Sequence, residues 1–400
     1  MIRTFNFPMH PTVVEARALD MHLILCQRLY NVALEARREA YRKQRANVTL
    51  YDQYKELTEL RVADPEYGSA SVDILRSPLY RLNNAFKDFF RRVKARQTPG
   101  YPRFRSRVLY TSFSFPAPPL SKGRRKILNG NRITIPRVGA VKFNLYRPVV
   151  GDIKVVRVKR TGTAWTLSLV VDLGAAPIRC LPKTSVGIDV GLTTFATLST
   201  GVSIDNQRFA RAAEDLLATR QRKVARKKRG SNSRQRAKGL VRHLHEHIRN
   251  QRLDFARKEA KKLFEQFDLV AFEDLDIQRM ARGNLAKSIN DAGWGLFIRC
   301  LQSKAENAGK WAVAVNPRGT TIECSRCGER VSKALSEREH RCTSCGLVLG
   351  RDHNAAINIL TRGLRVLDDC VKAQSECEAQ IEHGLHSTVY DAEHQTVLST

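Results

Sequence analysis

The tightest constraint on this chain is set by four cysteines. Cys324-Ser325-Arg326-Cys327 and Cys342-Thr343-Ser344-Cys345 are two pairs separated by fourteen residues, each followed directly by a glycine, Gly328 and Gly346. Four thiolates presented from two tight turns match the tetrahedral demand of zinc, and a glycine after each pair frees the backbone around the sulfurs. All four positions are filled by protein, so this zinc is expected to be structural rather than catalytic. Cys26, Cys180 and Cys300 stand singly in apolar surroundings, as small buried groups do. Cys370 and Cys377 fall near the C-terminus.

Charge narrows the partner. The 400 residues carry a net charge of +30, and a surface this basic must meet polyanions, with nucleic acid as the default. With 42% hydrophobic residues the chain can build packed cores, and its length calls for two or three of them. A membrane surface is the rival partner. The sequence has no apolar run of ~18 residues, and the opening Met1-Ile2-Arg3-Thr4-Phe5-Asn6 lacks the apolar core of a signal peptide, so a prokaryotic cytosolic or nucleoid location is expected.

Periodicity divides the chain. A short strand over residues 1–8 gives way to helical spacing from Val13 to Arg45 and again from Leu75 to Val93, a helical subdomain ending in Arg91, Arg92, Lys94 and Arg96. Between Arg105 and Leu173 the period drops to two, with Arg132–Ile135, Val141–Phe143, Ile153–Lys159 and Trp165–Val171 reading as strands of a small antiparallel barrel or sandwich. From Ser185 to Leu198 a strand, a tight turn at Gly191 and a second strand follow. A basic helical region spans Ala210 to Phe267, broken at Gly230-Ser231-Asn232-Ser233. A buried strand over residues 268–275, a helix near 294–309, a strand at Trp311–Val315 and a helix at Asn354–Leu364 complete an RNase H-like α/β pattern. Beyond Val366, seven acids from Asp368 to Glu393 face the single base Lys372, which reads as a mobile acidic tail.

Three acids carry the candidate chemistry. Asp189 interrupts an apolar strand, where a bare carboxylate is costly unless it is paired or metal-bound; a turn cap is the alternative. Glu273 ends a run of apolar residues, although Asp274 and Asp276 compete for the same role. Asp352 opens a helix, where an acid is also an ordinary cap. Together, acids from two strands and one helix can offer magnesium the few carboxylate oxygens it needs, and a pair of such ions can support an in-line phosphodiester displacement.

From Arg220 to Lys262, seventeen bases, among them Arg226, Lys227, Lys228, Arg229, Arg249 and Arg252, face only Glu246, Asp254 and Glu259. Such a run repels itself unless phosphates neutralise it. His243, His245 and His247 within it read as surface histidines. Tyr101, Phe104 and Tyr110 interleave with Arg103, Arg105 and Arg107, a pattern suited to stacking bases while gripping backbone, or to a structural role at a barrel edge.

The ordered set VGIDVGLTTFATL, LVAFEDLDI, SINDAGWGLFIRCLQSKAENAG, CSRCG, CTSCG and GRDHNAAINIL, preceded by GYPRFRSR and TAWTLSLVVDL, closely resembles the TnpB (OrfB) family over residues 1–365. These are RNA-guided nucleases of bacterial insertion sequences, considered ancestral to type V CRISPR effectors. The resemblance implies a multidomain α+β and α/β fold. Its expected parts are a wedge-like β-barrel (1–10 and 101–176), an inserted helical recognition lobe (11–100), a RuvC-like nuclease domain (183–320 and 347–365), a zinc module (321–346) and the tail (366–400). It also implies that Asp189, Glu273 and Asp352 bind two magnesium ions. The expected partners are a guide RNA from the transposon end and double-stranded DNA beside a short flanking motif, bound by a monomeric ribonucleoprotein. Gly350 departs from the pattern, since many members have an acid there. The competing readings are a nuclease-inactive RNA-guided regulator and an acid-dependent DNA transposase.

Overall fold

Alternation in the first residues produces strand β1 (Ile2–Met9), with Phe5, Phe7 and Met9 buried and their neighbours outside. The computed structural model describes residues 1–117, 127–162, 164–334 and 337–372. The chain divides into two units, Met1–Ala175 and a second beginning at Ala176.

In the first unit, Thr12 and Glu15 close a capping box that starts α1 (Val13–Gln44), and Thr49 with Asp52 does the same for α2 (Leu50–Ala63). The short α3 (Pro65–Ser69) leads into α4 (Val72–Lys94). Sequence periodicity anticipated α1 and α4 but not α2, which buries only Gln53 and Leu57 and so leaves little apolar pattern. Pro78 inside α4 cannot donate to the Ile74 carbonyl, and the buried Cys26 thiol donates there at 3.6 Å.

Strands β2 (Ser112–Pro116), β3 (Leu128–Asn129), β4 (Arg132–Ile135), β5 (Gly139–Lys142), β6 (Asp152–Thr161) and β7 (Ala164–Asp172) follow. They form an antiparallel sheet ordered β1-β7-β6-β2 and a separate β3-β4-β5 meander, joined by a Met9–Phe143 bridge. The expected closed barrel is therefore corrected: among the described residues the ladder stays open. The outer edge of β2 is taken by α4, where Ser77 Oγ accepts the Ser114 N–H at 3.1 Å and Arg81 donates to the Ser112 carbonyl at 3.0 Å, and Pro116 has no N–H to offer.

The second unit is built on β8 (Ser185–Val190), β9 (Thr194–Leu198) and β10 (Ser203–Asp205), then helices α5 (Phe209–Ala212), α6 (Glu214–Ala225) and α7 (Asn232–Gln266). Strand β11 (Leu269–Glu273), helices α8 (Ile277–Met280), α9 (Ala286–Ala292) and α10 (Trp294–Ala308), and strand β12 (Trp311–Val315) come next. The small strands β13 (Glu339–Arg341) and β14 (Val348–Gly350) precede α11, which runs over residues 351–372. The main sheet is ordered β10-β9-β8-β11-β12, with β8, β11 and β12 mutually parallel and the β8-β9-β10 edge antiparallel.

Strand β11 is buried on both faces, as its unbroken apolar run requires. Val270 and Phe272 join Val186, Ile188, Ala260 and Phe297 in the core shared with α7 and α10. Leu269 and Ala271 join Val313, Ile359 and Leu367 on the opposite face, under α11. That helix lies against the sheet at backbone distance. A Cβ on Gly187 would sit 2.1 Å from the Ala356 carbonyl oxygen, and one on Gly363 would sit 2.4 Å from the Ala271 Cβ.

The tail boundary also needs correction. Residues 366–372 continue α11, because Leu367 is buried and Val371 packs beside it in continuation of Leu360. The rest of the expected tail, 373–400, with Cys377, lies outside the described residues.

Gly187→Ala should destabilise the second unit by about 3 kcal/mol, since the added methyl meets backbone that cannot swing aside. Chemical denaturation checks this, and an unchanged midpoint would contradict the packing described.

Candidate active site and metal centre

Asp189 and Glu273 end neighbouring parallel strands. The register pairs Ala271 with Gly187 and Phe272 with Ile188, so the next step along both strands sets Glu273 beside Asp189. Side chains alternate along a strand, and Gly187 and Ala271 face α11, so the two acids two residues further on face the same way. Asp352 comes from the first turn of α11, one turn before Ala356, whose carbonyl lies over Gly187.

The electrostatics record this proximity. Asp189 is pushed up to about 8, first by burial and then by the charges of Glu273 and Asp352, with Arg351 pulling the other way. Burial also pushes Glu273 up, against a hydrogen bond donated by Thr320 Oγ1 at 2.5 Å and the positive charge of Arg362. Asp352 accepts from Arg351 Nε at 3.1 Å. At neutral pH the cluster therefore relieves its repulsion by keeping a proton on Asp189. A divalent cation would relieve it equally, and an all-oxygen donor set suits magnesium. Of the competing acids, Asp276 has other work: it caps α8 by accepting the Arg279 N–H at 2.9 Å.

The four cysteines converge. Their sulfurs lie within 4.8 Å of one another, with Cys324–Cys345 at 3.6 Å and Cys327–Cys342 at 3.5 Å. Two matching turns present them: the N–H of Gly328 donates to the Cys324 carbonyl at 2.9 Å and that of Gly346 to the Cys342 carbonyl at 3.0 Å, both glycines having positive φ. Hydrogen bonding from the Cys345 backbone draws the Cys342 thiol down to about 6, whereas, against a hydrogen bond from the Glu329 backbone, burial and the neighbouring sulfurs push Cys327 up to about 12, so four thiolates this close would need a cation among them. Four sulfurs in this arrangement fit zinc.

The basic candidates separate. Arg226 caps α6 at its C-terminus, and Lys228, Arg229 and Arg249 are exposed on the α6–α7 pair, whose break falls at the N-capping Ser231 as expected. Lys227 sits in the same turn and accepts from Arg234 through its carbonyl. Arg252 instead turns inward: it donates to the buried Asp291 at 2.8 Å, and Asp291 also accepts the N–H groups of Ala210 and Arg211. That is a correction to its reading as a nucleic-acid contact. In the first unit, Arg91 and Arg92 are exposed at the end of α4, with Arg91 paired to Asp88. Arg103 is exposed, and Tyr101 leans edge-on against Phe86 and Phe89 while staying half exposed. Phe104 carries the Arg38 guanidinium over its ring, and Arg105 is held to α1 by its backbone through Asn31 and Gln27. Tyr110 is buried, which removes it from any stacking surface.

Sequence reasoning did not single out Asp291, Thr320, Asn354 or Asn358. Asn354 and Asn358 are four apart and so share one face of α11, a signal that could have drawn notice. Thr320 offered none.

The fold and site define a mixed α+β protein that gathers carboxylates at the ends of parallel strands beside a four-thiol metal knot. Residues 168–284 match the family model described as "Probable transposase" (OrfB, IS605 type), and residues 294–359 match that described as "Cas12f1-like, TNB domain". Over 379 residues the chain is 30% identical to a "Putative RNA-guided DNA endonuclease" of Streptomyces pristinaespiralis, covering 90% of this chain and 89% of that one. It is 29% identical over 310 residues to the "Putative RNA-guided DNA endonuclease InsQ" of Escherichia coli K12, covering 73% and 75%. Among solved structures, the Cas12f1–sgRNA–target DNA complex has the same fold, with a TM-score of 0.58 at 14% identity over 90% of this chain and 98% of that one. The chain belongs to the TnpB (OrfB) family.

An acid whose pKa is raised by folding binds its proton more tightly folded than unfolded. Stability is therefore lost as pH rises from the unfolded value near ~4 toward 8. In magnesium-free buffer Asp189→Asn should match the parent near pH 4 and become progressively the more stable as pH approaches 8. Thermal melts across that range check this, and a gap independent of pH would count against the electrostatics above.

Proposed function

We propose that this protein is an RNA-guided DNA endonuclease of an insertion sequence, and that Asp189, Glu273 and Asp352 hold the magnesium that its chemistry requires. The observation that carries the reading is the in-register placement of two strand-end acids under a helix whose first turn bears the third. Ligands of open α/β sheets sit at the carboxyl ends of the strands, where these acids lie. The strand order, third-second-first-fourth-fifth along the chain, supports an RNase H-like (RuvC) nuclease domain. The sheet and helices of residues 1–175 correspond to the wedge and recognition lobe, and the four-cysteine segment to a zinc ribbon.

When bound, magnesium supplies electrophilic stabilisation of charge on a phosphodiester and a more acidic water. The chain's own contribution is placement. Asp189 and Glu273 supply oxygens from rigid strands, Asp352 from the helix laid over them, and Thr320 and Arg351 hold the second and third carboxylates in position. Loading the site requires Asp189 to give up its proton, so metal affinity and cutting rise with pH through about 8. Exposed bases on the α6–α7 pair and at the end of α4 hold nucleic-acid backbone, while guide pairing reads the target and the protein reads a short flanking motif. The guide comes from the transposon end, and the working particle is a monomeric ribonucleoprotein acting on double-stranded DNA.

The decisive experiment is plasmid cleavage in magnesium by protein co-expressed with its transposon-end RNA, on targets carrying the guide match beside randomised flanks. Match-dependent cutting is expected, and Asp189→Ala should reduce it to background while guide binding stays intact. Match-dependent binding without cutting in the parent protein would overturn the nuclease reading. Replacing Lys228 and Arg229 by alanine should weaken guide binding and flatten its dependence on salt by about 0.7 log units per lost phosphate contact. A slope equal to the parent's would remove that turn from the interface.

A further inference from the structure

We propose that Thr320, Asn354 and Asn358 are positioning residues that make order in the four-thiol module a condition for a correctly set carboxylate site. The inference rests on the reading of Asp189, Glu273 and Asp352 as the cation-binding group. It starts from the short segment between β12 and the first cysteine pair, which touches both sites.

Thr320 is 1% exposed, and its hydroxyl reaches Glu273 Oε1 at 2.5 Å. Three residues later, Glu323 adjoins Cys324. The Glu323 carbonyl accepts from Asn354 Nδ2 and from Asn358 Nδ2, each at 2.7 Å. Asn354 Oδ1 accepts the N–H of Ser325 at 2.9 Å, so one side chain grips the backbone on both sides of Cys324. Asn358 also donates to the Thr320 carbonyl at 2.9 Å. Asn354 is fully buried and lies two residues from Asp352 on the same helix.

Arg362, two turns further along α11, donates to the carbonyls of Asn316 and Arg318 and pairs with Glu323 at 2.6 Å. The network thus joins the backbone around Cys324 to Glu273 through Thr320, and its two asparagines stand on the helix whose first turn bears Asp352. Buried amide and hydroxyl groups have no water to turn to, so they hold only while the knuckle backbone keeps its folded shape. Zinc on the four thiolates fixes that shape. Loss of the metal would free residues 323–325, and with them the Thr320 contact and the seat of the first turn of α11.

The test reads manganese binding to the full-length protein by electron paramagnetic resonance, with Asp189→Asn defining binding outside the site. Zinc is counted separately by elemental analysis. Thr320→Val should keep its zinc yet bind manganese about 10-fold more weakly, and Thr320→Ser should restore affinity because it restores the donor. Cys345→Ser should lose zinc and weaken manganese binding to a similar degree. The double variant Thr320→Val/Cys345→Ser should fall no further than the weaker single, as two changes in one connection do.

Releasing zinc from the parent protein with a mercurial, which leaves manganese unchelated, should lower manganese binding in step with the zinc lost. This second measurement stands even if a variant fails to fold. Parent-like manganese affinity in folded Thr320→Val, or in zinc-free protein, overturns the coupling. Failure of Asp189→Asn to change manganese binding would instead overturn the carboxylate reading beneath it.

Discussion

The second unit depends on a helix that meets its sheet with no room for a side chain at two glycines. At Gly187 and Gly363 the backbone of α11 and the strands meet where a single methyl would collide. Closeness has a chemical use. The close approach sets Asp352, one turn before Ala356, near enough to Asp189 for its charge to be felt there. Asp189 is pushed up by burial and by two neighbouring negative charges, a penalty that a bound cation would remove.

The same helix organises the metal knot. Its buried face offers apolar groups to the sheet through Ile359 and Leu367, and amides to the cysteine segment through Asn354 and Asn358. One element therefore reads two chemistries, packing on one side and hydrogen bonding on the other. Family membership supplies the name for such a protein, and the physical chemistry explains how one helix comes to be tied both to the four-thiol segment, through Asn354 and Asn358, and to the sheet that bears Asp189 and Glu273.

Several corrections share a cause. Among the described residues the barrel stays open because α4 satisfies the β2 edge with Ser77 and Arg81, hydroxyl and guanidinium groups that in sequence look like ordinary surface residues. Arg252 is held in a partly buried ion pair because Asp291, distant in sequence, meets it beside α5. Helix α11 outruns its expected end because Leu367 meets the sheet face of β11 and β12. In each case a long-range partner decided between readings that local pattern left equal.

By itself, the sequence determined whatever depends on near neighbours along the chain. The two cysteine turns with their glycines, the strand bearing Asp189, the break before α7 and the family's ordered motifs were all legible, since each is a matter of spacing within a few residues. Tertiary structure alone decided which acids meet. Asp189, Glu273 and Asp352 are separated by some eighty residues at each step; residue patterns alone left Asp274 and Asp276 competing with Glu273 and the family resemblance named Glu273, while parallel register and strand alternation set it beside Asp189 and facing α11. Thr320 stayed hidden for the same reason, since a hydrogen bond across a fold leaves no period in the sequence that makes it, and the four-residue spacing of Asn354 and Asn358 marked a shared helix face but not what that face would hold.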